Sequence, residues 1–179
     1  TAPGAHGVLV VCAGGVHGAR HVQKVHPYRV DAFSSGEGGP LGWVEEGRVR
    51  LAQNWHQAHA GWAQEALEKI AKDAPWPRVE IVLNYAGASG AAVDALARDG
   101  VQGLVVAATG NGTLHQALQA ALERARQAGV AVRVTTRCPL GQVLALPRAE
   151  AALPLAPGLI PVKARVSLML ELLGARAPA

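Results

Sequence analysis

Residues 103–136, GLVVAATGNGTLHQALQAALERARQAGVAVRVTT, constrain the fold of this chain more than any other stretch. Leu104-Val105-Val106 is an apolar, β-branched run that suits a buried strand. A glycine-rich turn, Thr109-Gly110-Asn111-Gly112, follows it. Then Leu114, Ala117, Leu118, Ala121, Leu122, Ala125 and Ala128 step by three and four, so they share one face of a helix. Thr113, with Gln116 three residues on, predicts a capping box at the helix start. Gly129 stands where a C-terminal glycine cap belongs, and residues 130–134 read as a second strand. Strand, helix and strand in this order predict a βαβ unit, a right-handed crossover and a parallel sheet. Ligands of open parallel sheets sit beyond the carboxyl ends of the strands, so the turn at 109–113 is the first candidate for function. A helix N-terminus there suits a phosphate, although GNG lacks the rest of the dinucleotide fingerprint and its later acid.

The remaining chain repeats the pattern more weakly. A strand is expected over 79–84, a helix over 91–98, a strand over 104–107 and a last helix over 161–173, opened by Pro161 and closed near Gly174. Residues 78–179 thus make a small doubly wound α/β domain of ordinary size. Residues 53–77 read as a linker with one helix, because Trp62, Ala63, Ala66, Leu67 and Ile70 fall at helical spacing and Pro75-Trp76-Pro77 ends the pattern. Before the linker, residues 8–12 are apolar on both faces, which predicts a central parallel strand. Such a strand is unusual at the start of a domain. Residues 15–40 are polar and turn-rich, and 42–51 alternate around Glu46-Gly47 as a β-hairpin should.

Composition narrows the function classes. Half of the 179 residues are apolar, and 17 basic residues stand against 13 acidic ones, a net charge of +4. No basic run carries interleaved aromatics, so nucleic-acid binding is unsupported. No apolar run reaches the length of about 20 residues that spans a membrane. Cys12 and Cys138 make neither a disulfide framework nor a metal pair, and a reducing compartment is favoured. His17, His21 and His26 lie near one another without a carboxylate or thiol among them, so no metal is expected. On composition alone Lys24 is a solvated surface lysine.

Seven pieces in one order resemble bacterial L-asparaginases of the homotetrameric, threonine-nucleophile type, also called asparaginase/glutaminases. They are GVLVV at 7–11, RHVQKVHPYRVDAFSS at 20–35, GPLGWVEEGRV at 39–49, VEIVLNYAGASG at 79–90, ATGNGTLHQAL at 108–118, Arg137-Cys138-Pro139, and PVKARVSLMLELL at 161–173. The helix at 61–73 is a departure from that pattern. The resemblance implies that residues 1–52 are the C-terminal part of the family's large domain, comprising a strand, a lysine loop and a hairpin, followed by its small C-terminal domain. The family's TGGTI motif, with the nucleophilic threonine, and its HGTDT motif, with a second threonine and an aspartate, do not occur here.

What the resemblance implies about chemistry is therefore partial. Lys24 matches the family's catalytic lysine, which joins the second threonine and the aspartate to tune proton transfer. Gln23 and Val25 stand where threonines usually flank it. Asn111 matches the first asparagine of the GNGN turn, and Thr113 stands where the second binds the substrate of a neighbouring subunit; the other reading of Thr113 is the helix cap. Glu150 is the candidate for the glutamate that reaches across from the loop before the last helix. The implied function is hydrolysis of L-asparagine, or of L-glutamine, to the acid and ammonia, with the chain inactive until nucleophile motifs are supplied. No cofactor is expected. The implied partners are a small amino-acid amide and further subunits, in a tetramer built as a dimer of intimate dimers, or a missing N-terminal segment. The expected location is the cytoplasm, with the periplasm left open. The alternative from another class is a non-catalytic α/β binding or assembly module of the same fold. A third reading makes Thr1 an N-terminal nucleophile.

Overall fold

The computed structural model describes residues 3–55, 61–145, 153–156 and 158–175, with the backbone alone for 61–64. Thr1 and Glu150 lie outside the described residues. The chain divides into two units, residues 1–59 and 60–179.

The first unit is antiparallel. Strands β1 (Leu9–Cys12), β2 (Gly15–Gly18), β5 (Gly42–Glu45) and β6 (Arg48–Leu51) form one sheet in the order β1-β2-β5-β6. A separate two-stranded ribbon joins β3 (Gln23–Lys24) to β4 (Phe33–Ser34). This corrects the expectation of a central parallel strand at 8–12. Among the described residues β1 pairs antiparallel with β2 alone, Val10 opposite His17, and Val8 and Val11 are exposed. The chain reverses there through Ala13 and Gly14, both with positive φ, which gives the twist that a tight hairpin needs. The second hairpin turns at Glu46-Gly47, as its alternation predicts, with φ of 48° and 73°. Its strands are tied by Arg50, which pairs with Glu45 at 2.7 Å and lies over the Trp43 ring. Among the described residues of this unit, Val16, Val22, Ala32 and Leu41 are the buried apolar ones.

The second unit is the α/β body. Strands β7 (Val79–Leu83), β8 (Gly103–Ala108) and β9 (Ala131–Thr136) form a parallel sheet in chain order, Val79 opposite Gly103 and Gly103 opposite Ala131. β8 is buried along its whole length, as a strand covered on both faces must be. Helices α2 (Ala91–Arg98) and α3 (Gln116–Gln127) cover one face. There Val93, Leu118, Ala121 and Leu122 pack on Leu104, Val106, Val132 and Val134. Helix α4 (Pro161–Ala175) covers the other, with Ala164 and Leu168 on Val79 and Val105. Helix α1 (Gly61–Ala71) packs along α4, where the Lys69 ammonium donates to the Gly174 carbonyl at 2.8 Å. Helices therefore cover both faces of the sheet, and strand order does not reverse among β7, β8 and β9. The outer edge of β9 is filled by residues 153–156, through Val134 N to Pro154 O at 2.7 Å and Ala156 N to Val134 O at 2.8 Å.

The helix start differs from its expected capping box. α3 begins at Gln116, and its N-cap is His115, whose Nδ1 accepts from Ala117 N. Thr113 is not the cap. Its backbone N–H and C=O are both engaged with Thr109, at 2.9 and 3.2 Å, so it belongs to the preceding turn. At the other end Gly129 has φ +90°, and Val130 N donates to Ala125 O at 3.0 Å, the glycine cap that the sequence predicts.

Candidate active site

Lys24 sits on the first unit's ribbon and is exposed. Its Cα partner across the ribbon is Phe33, and Gln23 faces Ser34. The ribbon exists because Val22 buries its side chain at the root and Ala32 at the far end, where Val25 N donates to Ala32 O at 2.7 Å. Beyond Val25 the tip closes on itself. His26 Nδ1 accepts from Tyr28 N and Arg29 N, both at 3.1 Å, and Arg29 pairs with Asp31. That pairing holds the Asp31 carboxyl below the usual range. Cys12 Sγ donates to Val30 O at 3.2 Å, tying the tip back to β1. The histidines of this segment have separate uses. His17 is buried and hydrogen-bonded to Ser35, and His26 makes the tip turn. Among the described residues no group of three His, Cys, Asp or Glu side chains is placed to hold a metal ion.

Asn111 and Thr113 share the turn that leaves the carboxyl end of β8. The turn is held from several sides. Asn84, at the carboxyl end of β7 and only 4% exposed, donates through Nδ2 to Thr109 Oγ1 and to Thr113 O, both at 3.2 Å. Its Oδ1 accepts from His115 N at 2.8 Å. Thr136 Oγ1, at the end of β9, donates to Gly110 O at 2.8 Å. Asn111 faces the loop after β9, where its Oδ1 accepts from Leu144 N at 2.7 Å and its Nδ2 donates to Leu144 O at 3.4 Å. Thr113 is exposed. Gly110 and Gly112 have φ of 50° and 85°, and a Cβ on Gly112 would stand 3.0 Å from Val143 Cγ1.

Asn84 is the residue that sequence reasoning misses, because in sequence it is merely the last residue of a strand. Its signal is position: an amide at the carboxyl end of a parallel strand reaches the turn that follows the neighbouring strand. The cavity beside the turn, about 440 Å³, has Leu114, Val134, Val143 and Leu153 in its wall, with Asn111 and Gln119 supplying side-chain amides. No charged side chain lines it among the described residues, which does not favour a phosphate.

The two regions match two family models in order. The Asparaginase, N-terminal model matches residues 1–57, and the Glutaminase/Asparaginase C-terminal domain model matches 78–178. The chain belongs to the asparaginase family. Among its curated relatives is L-asparaginase 2 of Escherichia coli (strain K12), 33% identical over 175 residues, which are 96% of this chain and 49% of that protein. Another is a glutamyl-tRNA(Gln) amidotransferase component of Aeropyrum pernix, 31% identical over 129 residues, 71% of this chain and 29% of the relative. Among solved structures, the probable cytoplasmic L-asparaginase from Campylobacter jejuni superposes with a TM-score of 0.79 at 34% identity, over 92% of this chain and 50% of that one. This asparaginase-family chain thus spans about half the length of its first relatives. Among its described residues no helix is long and apolar enough to cross a membrane.

Proposed function

We propose that this chain forms part of an amidohydrolase that converts L-asparagine, or L-glutamine, to the acid and ammonia. The observation that carries the reading is that the N-terminal family model matches residues 1–57, the region that holds Lys24. In this reading Lys24 is the proton-transfer residue. An ammonium on a flexible stem changes its pKa readily beside other polar groups, so a lysine can take and return a proton as a threonine attacks the amide carbon. The attack also needs a nucleophile and donors for the oxyanion that forms. We infer that both come from outside the 179 residues, so that the site is composite.

Asn111 and Thr113 are proposed to bind the amino-acid end of the substrate in a neighbouring subunit, with Glu150 as a further contributor. That reading asks for an oligomer, a tetramer built as a dimer of intimate dimers. It also retains residues 1–52, 53–77 and 78–179 as large-domain part, linker and small domain. A cytoplasmic location accords with two free cysteines and with the name of the Campylobacter structure.

The test is ammonia release from L-asparagine by the 179-residue chain, with and without a second chain bearing the TGGTI and HGTDT motifs. Release only in the mixture supports the composite site, and release by the chain alone overturns it. The name of the Aeropyrum relative favours one second reading, in which the amide nitrogen is passed to an acceptor rather than set free. Following ¹⁵N from labelled glutamine into free ammonia or into an acceptor separates the two. Calorimetry with aspartate against nucleotides tests the remaining alternative, a non-catalytic binding module.

A further inference from the structure

The root of the Lys24 ribbon is held by a buried polar pair that has no part in the chemistry above. His17 lies on β2 and is 6% exposed; Ser35 directly follows β4 and is 7% exposed. His17 Nδ1 and Ser35 Oγ share a hydrogen bond of 2.8 Å across 18 positions of chain. The chain between these two residues is the ribbon itself. On the entering side, His21 N and Val22 N both donate to Gly18 O at 3.1 Å. On the leaving side, Ser34 Oγ accepts from Gly36 N at 3.1 Å, and Leu41 N donates to Val16 O at 2.7 Å as the chain rejoins the sheet. The pair therefore ties the strand that enters the ribbon to the strand that leaves it.

The opposite edge of the imidazole is fixed too. A Cβ on Gly15 would stand 2.8 Å from His17 Nε2, so the ring uses the space that glycine leaves two residues earlier on the same strand face. Burial pushes the His17 pKa down, which favours the neutral ring. A neutral polar group this deep is costly unless bonded, and a satisfied buried pair admits few alternative arrangements. Ser35 is one residue from the first rung of the ribbon, Gln23 opposite Ser34, and two from the second, Lys24 opposite Phe33. Displacing Ser35 displaces those rungs.

We propose that His17 and Ser35 are positioning residues for Lys24: their hydrogen bond sets where the ribbon, and with it the ammonium, stands. The proposal rests on the reading of Lys24 as the proton-transfer lysine. Neither residue need touch substrate, since both act through the ribbon.

Four variants test it: His17→Asn, His17→Gln, His17→Leu and Ser35→Ala. Asparagine places its amide where Nδ1 stood, and glutamine places its amide where Nε2 stood. The first readout is amide hydrogen exchange at Val25 in the 179-residue chain, because Val25 N donates across the ribbon to Ala32. The second is kcat and KM for ammonia release in the mixture with the nucleophile-bearing chain. His17→Leu, His17→Gln and Ser35→Ala should each speed Val25 exchange about tenfold, the effect of one lost buried hydrogen bond. They should lower kcat and leave KM unchanged. His17→Asn should keep both readouts at the parent values. Should His17→Leu fail to fold, Ser35→Ala, which removes a single oxygen, decides the matter. The proposal is overturned if asparagine does no better than leucine, if Val25 exchange stays at the parent rate in Ser35→Ala, or if kcat and KM move together. Lys24→Met separates the two readings. Full activity in Lys24→Met sinks the role of the lysine, while Val25 exchange still reports on the tie.

Discussion

The Lys24 ribbon and the 109–113 turn are both short loops that carry candidate residues, and they are held in opposite ways. The turn is gripped along its length: Asn84 from β7, Thr136 from β9 and the Thr109–Thr113 pair all bond its backbone. The ribbon is gripped at its root, by the His17–Ser35 pair and the Gly18 carbonyl, while its tip is closed mainly by its own residues. A turn fixed on all sides presents groups in one geometry, which suits binding. The ribbon is held at its root and, through Cys12 Sγ to Val30 O, at one point of its tip, and the exposed Lys24 lies between these anchors. The number of anchoring bonds, and where they fall along a loop, distinguishes the two loops more clearly than exposure does.

The largest effect is expected at the ribbon. Lys24→Met should lower kcat for ammonia release in the complemented protein by about 10²–10⁴-fold, the usual contribution of a positioned proton-transfer group. It should leave the melting temperature unchanged, because the side chain is exposed. Thermal melts alongside steady-state kinetics check both halves. The turn should show the reverse. Asn84→Ala removes the three hydrogen bonds that tie the end of β7 to the turn. It should cost about 3 kcal/mol of stability in the second unit, measured by denaturant unfolding. If Asn84→Ala proves neutral, the contrast between the two loops fails.

Gly112→Ala sharpens the same contrast. A side chain at φ +85°, 3.0 Å from Val143, should destabilise the second unit by about 1–2 kcal/mol in the same unfolding experiment. The smallest effect concerns pH. His17 has a folded pKa below its unfolded value, so the unfolded chain binds the extra proton first as pH falls. The contribution of the buried neutral ring is complete above the unfolded pKa of about 6.5 and is lost as pH falls below it. Melting of the first unit should drop as pH falls below about 6.5, and His17→Asn, which does not titrate, should flatten that slope.

The second unit is legible in the sequence because its periods are clean. Leu118, Ala121, Leu122 and Ala125 recur at helical spacing and are all buried, and the strand runs on either side are β-branched. Thr113 and Gln116 satisfy the spacing of a capping box, yet the helix starts later. Asn84, 31 positions away, takes the His115 N–H, and Thr109 takes the backbone of Thr113. A local pattern cannot register a competitor brought in by the fold. The first unit is harder to read for two reasons. An apolar run such as Val8–Cys12 says that a strand forms but not in which direction its neighbour runs. And β2, Gly15-Val16-His17-Gly18, has the composition of a turn. It is a buried strand because glycine clears room for the imidazole and because Ser35 satisfies it. Of the candidate residues, Lys24 is visible through resemblance and carries no physical signal of its own, and Asn84 shows its importance only once the strands are paired.

The order of the parallel sheet has a consequence for how this unit is made. Each strand lies beside the one that precedes it in the chain, and residues 153–156 continue the series beside β9. No strand has to be inserted between two that have already paired. A polypeptide emerging from the ribosome can therefore lay down β7, β8, β9 and the last bridge one after another, each on a freshly exposed edge. α4 then arrives to close the bare face. The strands can thus pair in order, but α4 joins β7 and α1 last, through bonds that span 86 and 105 positions of chain, from Arg165 to Val79 and from Lys69 to Gly174, so the apolar face waits for the end of the chain to be covered.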